Sequence, residues 1–312
     1  MKIVFLDALT LGTDIDLSPA YTLGEVVTYA NTTSAEVAER IADADVVVLS
    51  KVEVNESTIG EAKNLKLICV TATGINNLDL DFLKRRQIEW RNVVGYSTDC
   101  VAQHTFALLF YLLEKLKYYD EYVKNGDYIN CPVFTHLDEG FKELSQMTWG
   151  IIGLGAIGRK VADIATAFGA KVIYHSPSGQ APQDGYTQVD FDTLLETSDI
   201  VSIHAPLNEY TENLMDTKVF SKMKTTAILI NVGRGPIVVE ADLKDALTNG
   251  TIAAAGLDVL CKEPMTADNP LFEIKDSKRL LITPHIAWAA YETRMRVLQM
   301  TIDSIKNFFT DI

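Results

Sequence analysis

Thr148-Trp-Gly-Ile-Ile-Gly-Leu-Gly-Ala-Ile-Gly158 is the stretch on which the reading of this chain turns. Thr148–Ile152 has the apolar character of a buried strand, and Ala156 to Phe168 the 3.6-residue period of a helix. Between and into them run Gly153, Gly155 and Gly158, a G-x-G-x-x-G. Lys171–His175 follows as a second strand, so the glycines sit in the strand–turn–helix–strand context that a dinucleotide fingerprint requires. Gly153 permits the tight turn, Gly155 lets backbone approach a pyrophosphate, and Gly158 lets helix and strand pack closely. Ala156 and Ile157 open the helix, whose first N–H groups attract phosphate oxygens. The cofactor implied is NAD or NADP.

One part of the fingerprint is missing. About 20 residues on, an acid should accept hydrogen bonds from the ribose of NAD. Ser176 stands there, followed by Ser178 and Gly179, with no arginine beside them to hold the 2′-phosphate of NADP. Use of both dinucleotides is expected.

Outward from this motif the same alternation continues. Strand patterns fall at Ile200–His204, Ala227–Asn231, Gly256–Leu260 and Leu280–Thr283, and upstream at Ile3–Leu6, Val46–Leu49 and Leu67–Val70. Thr33-Ser-Ala-Glu36 has the form of a capping box opening a helix to about Ala44. A helical pattern runs from Val101 to Val123, residues 125–147 read as a surface excursion, and Tyr291–Phe309 closes the chain as a helix. Strands separated by helices predict an α/β protein with two doubly wound parallel sheets. The expected division is a Rossmann cofactor domain at 99–286 and a flavodoxin-like substrate domain made of 1–98 and 287–312.

Composition limits the partners. The 312 residues suffice for two cores, 47% are hydrophobic, and the formal charge is −14. Such a charge disfavours nucleic acid and anionic membrane, and no apolar run reaches the ~20 residues of a membrane span. The N-terminus has no signal-peptide layout, so the cytoplasm is expected. Cys69, Cys100, Cys131 and Cys261 form no Cys-x-x-Cys, and the five histidines share no metal-type spacing. No metal site is expected.

Three later segments carry polar residues at the ends of strands: Asn231-Val-Gly-Arg-Gly-Pro236, Gly256-Leu-Asp-Val-Leu-Cys-Lys-Glu-Pro264 and Thr283-Pro-His-Ile-Ala-Trp288. In an open parallel sheet such loops gather at the carboxyl edge. Together these segments resemble the D-isomer-specific 2-hydroxyacid dehydrogenase family, in the family's order and along essentially the whole chain. The resemblance implies that Arg234 binds a substrate carboxylate, that His285 is the general acid–base, and that Glu263 orients it and favours its protonated form. It places Asp258 on the nicotinamide carboxamide, and His204, Pro206 and Val232 along the cofactor. Lys51, Thr73, Gly74 and Trp288 are the implied substrate contacts, with Arg234. The family also implies a homodimer and a two-domain cleft closing on cofactor and substrate.

The chemistry asks for the same residue types. Hydride attack on the carbonyl carbon of a 2-oxo acid builds negative charge on oxygen, which a proton donor must quench. A histidine beside a carboxylate serves at neutral pH, and arginine presents a permanent planar fork to the substrate carboxylate. Taken singly, Arg234 reads equally as a surface ion-pair partner, Glu263 as an exposed loop acid, and His285, His104 and His204 as structural histidines. Lys51 reads equally as a solvated lysine.

Within the family the chain looks most like the glycerate dehydrogenase/hydroxypyruvate reductase branch. Trp288 would wall the pocket for a short 2-oxo or 2-hydroxy acid. Family members acting on formate carry glutamine at the Glu263 position, which disfavours formate. The alternatives are a reductase for a larger 2-oxo acid and a non-catalytic, dinucleotide-sensing binding protein.

Overall fold

A computed structural model describes residues 1–179 and 185–310. The chain divides into two compact units, Met1–Ser97 with the segment from Ala289 onward, and Thr98–Trp288. Each is built on one parallel sheet.

The first sheet comprises β1 (Lys2–Phe5), β2 (Glu25–Thr28), β3 (Val46–Leu49), β4 (Leu67–Val70) and β5 (Glu89–Asn92), in the order β2-β1-β3-β4-β5. This is the flavodoxin-like doubly wound order. Its three inner strands are apolar at nearly every position because both faces are covered. Val4, Val47, Leu49, Ile68 and Val70 join one core cluster with Val37, Ile59 and Phe82. The C-terminal helix Tyr291–Thr310 packs along β4. Sequence reading misses β2 and β5. Both are edges, and their exposed Glu25, Glu89 and Arg91 break the apolar runs by which strands are recognised. Glu36 does accept the N–H and hydroxyl of Thr33, at 2.8 and 2.7 Å, but the helix it opens ends at Arg40 rather than near Ala44.

The second sheet comprises β6 (Thr148–Ile152), β7 (Lys171–His175), β8 (Thr187–Gln188), β9 (Ile200–Ile203), β10 (Ile228–Asn231), β11 (Ala254–Leu257) and β12 (Leu280–Ile282). Its order is β12-β11-β10-β9-β6-β7-β8, the Rossmann arrangement with one added strand. Side chains alternate between two cores. Ile228 and Ile230 face one cluster, with Trp149 and the helices Thr98–Leu113 and Ala156–Ala167, while Leu229 faces the other, with Leu194, Leu243 and Leu247.

The long helix expected from Val101 to Val123 is two helices, Thr98–Leu113 and Leu116–Lys124. Lys115 adopts φ +53 between them, a left-handed conformation no helix can continue through. The excursion after it is braced by its own contacts. Tyr128 Oη donates to the Phe134 carbonyl at 2.6 Å, Tyr119 Oη to that of Glu139 at 2.6 Å, and His136 stacks on Tyr122 at 3.8 Å. Lys278 and Lys115 hold the Glu139 carboxyl down to about 2. None of the described helices is long and apolar enough to cross a membrane.

Candidate active site

In a parallel sheet every strand ends on the same side, so the loops after β6, β7, β9, β10, β11 and β12 share one edge. The topological switch lies at β6, which pairs with both β7 and β9. There Gly153 takes φ +90, and a Cβ on it would lie 2.9 Å from the backbone of Ala205. A Cβ on Gly158 would run into the Gly153 carbonyl, whereas one on Gly155 meets nothing within 4 Å. Two glycines are thus required by packing, and the middle one leaves open space before the helix that starts at Ala156. That cradle fits a dinucleotide pyrophosphate. Ile157 packs partly into the core below, and Ser176, half-buried, follows β7 directly.

His204 extends the ladder beyond β9, its N–H bonding the Ile152 carbonyl at 2.8 Å. Its Nε2 lies 3.0 Å from Ser202 Oγ, which accepts the Trp149 indole N–H at 2.8 Å. Nδ1 is closed off from solvent without a hydrogen-bond partner, and burial pushes the imidazole down to about 3. His204 is therefore neutral at physiological pH. Pro206 is exposed and Val232 is buried beside the same edge.

After β10 the chain turns on Asn231, fully buried and absent from the sequence-derived site. Its Oδ1 accepts the Gly233 N–H at 3.0 Å and its Nδ2 donates to the Arg234 carbonyl at 2.9 Å. Both ends of one amide side chain thereby shape the loop that presents Arg234. Arg234 is half-buried, its Nη1 donating to the Gly233 carbonyl at 2.8 Å. Asn231 stood in plain view at the head of the N-x-G-R-G segment. The available signal was an amide on a strand that is otherwise apolar.

Strand β11 ends at Leu257, earlier than expected, so Asp258 begins the following loop. Its carboxylate is 1% exposed and accepts hydrogen bonds from Thr283 Oγ1 at 2.6 Å and from the N–H groups of Ile286 and Ala287 at 2.8 Å each, with His104 Nε2 3.5 Å from Oδ1. Burial raises this carboxyl, but hydrogen bonds from His104, Thr283, Ala287 and Ile286 outweigh it and leave it below its ordinary value. Asp258 is thus the anchor of the loop after β12, a role the motif alone did not reveal. His104 Nε2 lies 2.9 Å from the same Thr283 hydroxyl, which gives that histidine a structural place.

Glu263 Oε2 stands 2.7 Å from His285 Nδ1, and Glu263 Oε1 accepts the Leu260 N–H at 2.9 Å. The two side chains are 31% and 27% exposed, open enough to meet a small molecule and covered enough to interact strongly. Nδ1 being taken, Nε2 is the ring nitrogen left to face a reactant. A proton donor, a carboxylate behind it and a guanidinium on the neighbouring strand-end loop can protonate a carbonyl oxygen whose molecule carries a carboxylate. Trp288 follows three residues after His285 and packs partly against the core.

In the first unit, Lys51 follows β3 and Thr73-Gly74 follows β4. Lys51 and Thr73 are exposed and Gly74 half-buried. Thr73 Oγ1 donates to the Val93 carbonyl at 3.0 Å. Sequence reading missed Asp7, a 5% exposed carboxylate that accepts the N–H groups of Ser50 and Lys51 at 2.8 Å each. Burial lifts its carboxyl above the ordinary value against the pull of those N–H groups.

A Rossmann sheet with a pyrophosphate cradle and a histidine–carboxylate pair at its carboxyl edge defines a dinucleotide-dependent dehydrogenase. Residues 106–287 match the family model described as D-isomer specific 2-hydroxyacid dehydrogenase, NAD binding domain. The chain is 36% identical to a hydroxypyruvate reductase of Blautia hydrogenotrophica, covering 99% of this chain and 97% of that protein. It is 35% identical to a glycerate dehydrogenase of Methylorubrum extorquens, covering 98% and 96%. Among solved structures, an acyclic imino acid reductase in complex with NADPH and D-Arg aligns with a TM-score of 0.86 at 30% identity, covering 100% of this chain and 98% of that one. A D-lactate dehydrogenase from Aquifex aeolicus with NAD and lactic acid aligns with a TM-score of 0.86 at 26% identity, covering 99% and 96%. The chain belongs to the D-isomer-specific 2-hydroxyacid dehydrogenase family and is an oxidoreductase that uses a nicotinamide dinucleotide.

Proposed function

We propose that this enzyme reduces a short 2-oxo acid, hydroxypyruvate to the D-2-hydroxy acid or glyoxylate to the achiral glycolate. The observation that carries the reading is the 2.7 Å contact between Glu263 and His285. When bound, the dinucleotide supplies the hydride. His285 Nε2 delivers the proton to the carbonyl oxygen, and Glu263 behind Nδ1 stabilises the imidazolium before transfer. Arg234 binds the substrate carboxylate through its fork, held out by the Asn231 amide. Gly153, Gly155, Ala156, Ile157 and Gly158 hold the pyrophosphate, with Ser176 at the ribose. Asp258 meets the nicotinamide carboxamide with acceptor capacity its loop contacts leave over, beside His204, Pro206 and Val232. Lys51, Thr73, Gly74 and Trp288 contribute to substrate binding. The similarity to a hydroxypyruvate reductase and a glycerate dehydrogenase supports a short substrate.

The absence of an acid at position 176 supports use of both NADH and NADPH. Phe134, Ile129 and Leu137, 90%, 85% and 76% exposed on the braced excursion, support a homodimer. Four free cysteines suit a reducing cytoplasm. The test is a steady-state panel of glyoxylate, hydroxypyruvate, pyruvate and phenylpyruvate with each dinucleotide. Highest kcat/KM for glyoxylate and hydroxypyruvate is expected. A preference for phenylpyruvate would move the assignment to a larger substrate, and no turnover with dinucleotide still bound would make the chain a sensor.

A further inference from the structure

The loop from Asp258 to Asn269 carries Glu263 beyond the end of β11, and Leu260 is the loop's anchor in the core cluster that holds Ala255 and Leu257. Something must hold the middle of the loop so that Glu263 reaches His285. Glu240, in the first turn of the helix Glu240–Thr248, stands where it can do so. Its Oε1 accepts the Cys261 N–H at 2.8 Å, two residues before Glu263, and its Oε2 accepts Asn269 Nδ2 at 2.8 Å. One half-buried carboxylate thus ties the two ends of the Glu263 turn to one helix.

The partners leave Glu240 no substitute. Cys261 offers a backbone donor, and the Asn269 amide is fixed by its Oδ1, which accepts the Leu271 N–H at 2.9 Å. Two donors therefore face one side chain, which only a carboxylate satisfies at both oxygens. A glutamine would turn its own N–H toward a donor. The same helix is tied once more to the segment beyond the loop, by Lys244 and Glu273 at 2.5 Å. Gly235 also lies so close to Leu260 and Cys261 that a Cβ there would overlap their backbone. The loop is thus held both by the residue after Arg234 and by Glu240.

We propose that Glu240 is a positioning residue for proton transfer, holding Glu263 in register with His285 through Cys261 and Asn269. The proposal rests on the Glu263–His285 pair being the acid of the reaction. Loosening the clamp lets Glu263 drift from Nδ1, and the imidazolium loses part of its stabilisation.

The test compares wild type, Glu240→Ala, Glu240→Gln, Glu263→Gln and the Glu240→Ala/Glu263→Gln double variant. Each is followed by kcat/KM against pH for hydroxypyruvate reduction and by thermal melting. Glu240→Ala should lower kcat roughly tenfold at neutral pH, with KM for the dinucleotide little changed. Its alkaline limb should move to lower pH, as in Glu263→Gln, and the double variant should move no further than Glu263→Gln alone. Glu240→Gln, which keeps size and one acceptor, should fall between, and it decides the matter if the alanine variant does not fold. A lower melting temperature with the alkaline limb unmoved would make Glu240 merely structural and overturn the proposal. An unmoved limb in Glu263→Gln itself would overturn the acid pair, and the role of Glu240 with it.

Discussion

Asp258 holds His285 from both its main chain and its side chain. The Asp258 carbonyl accepts the His285 N–H at 2.9 Å, and its carboxylate takes the next two N–H groups, of Ile286 and Ala287. Three successive donors converge on one buried residue, and they hold His285 at φ +56, a conformation that non-glycine residues adopt only when their surroundings impose it. The imidazole of His285 meets Glu263 from a backbone held by these three hydrogen bonds.

From that geometry, His285→Ala should lower kcat for reduction by about 10²–10⁴, the span of a lost general acid. Dinucleotide affinity should change little. A variant within a few-fold of wild type would remove His285 from proton transfer.

Replacing Glu263 by glutamine keeps the shape and removes the charge at 2.7 Å from Nδ1. A neutral amide stabilises imidazolium less than a carboxylate does, so the proton donor is lost sooner as pH rises. The alkaline limb of the reduction profile should shift to lower pH. Superimposable profiles would contradict the assigned role.

Arg234→Lys keeps the charge and loses the fork. The loss should appear in kcat/KM for the oxo acid, with KM for the dinucleotide little altered. Equal damage to both would place Arg234 away from the substrate carboxylate.

Ser176 can hydrogen-bond a ribose hydroxyl or a phosphate oxygen, and it carries no charge to repel a 2′-phosphate. Ser176→Asp should introduce like-charge repulsion of about 1–2 kcal/mol, roughly tenfold against NADPH, with the NADH reaction barely touched. Wild type already favouring NADH by about a thousandfold would mean that another residue excludes the phosphate.

His204 makes a prediction about stability. Folded, its imidazole stays neutral down to about 3, against an ordinary 6.5. Between those values the unfolded chain binds the extra proton, so this contribution is whole above pH 6.5 and is lost as pH falls toward 3. The slope is at most about 1.4 kcal/mol per pH unit. In His204→Gln the unfolding free energy should therefore fall less steeply between pH 6.5 and 4.5 than in wild type. Parallel curves from urea titrations would show that the imidazole takes up its proton while folded.

The parallel α/β architecture is legible in the amino-acid order alone, because buried strands must be apolar on both faces and G-x-G-x-x-G has few uses between a strand and a helix. That order also points to Arg234, Glu263 and His285, through a resemblance of three segments near strand ends to those of a known family. The contacts that emerge only on folding join partners distant along the chain. Asn231 shapes the Arg234 loop, Asp258 fixes the backbone of a histidine 27 residues later, and Glu240 reaches both ends of the Glu263 turn. The edge strands Glu25–Thr28 and Glu89–Asn92 escaped because exposed charged residues interrupt their apolar runs, and the break at Lys115 because a left-handed φ at one polar residue leaves the apolar period unchanged. Apolar periodicity records which faces are buried, whereas a polar contact depends on where two separate loops meet, and that is fixed only when the sheet has closed its strands side by side.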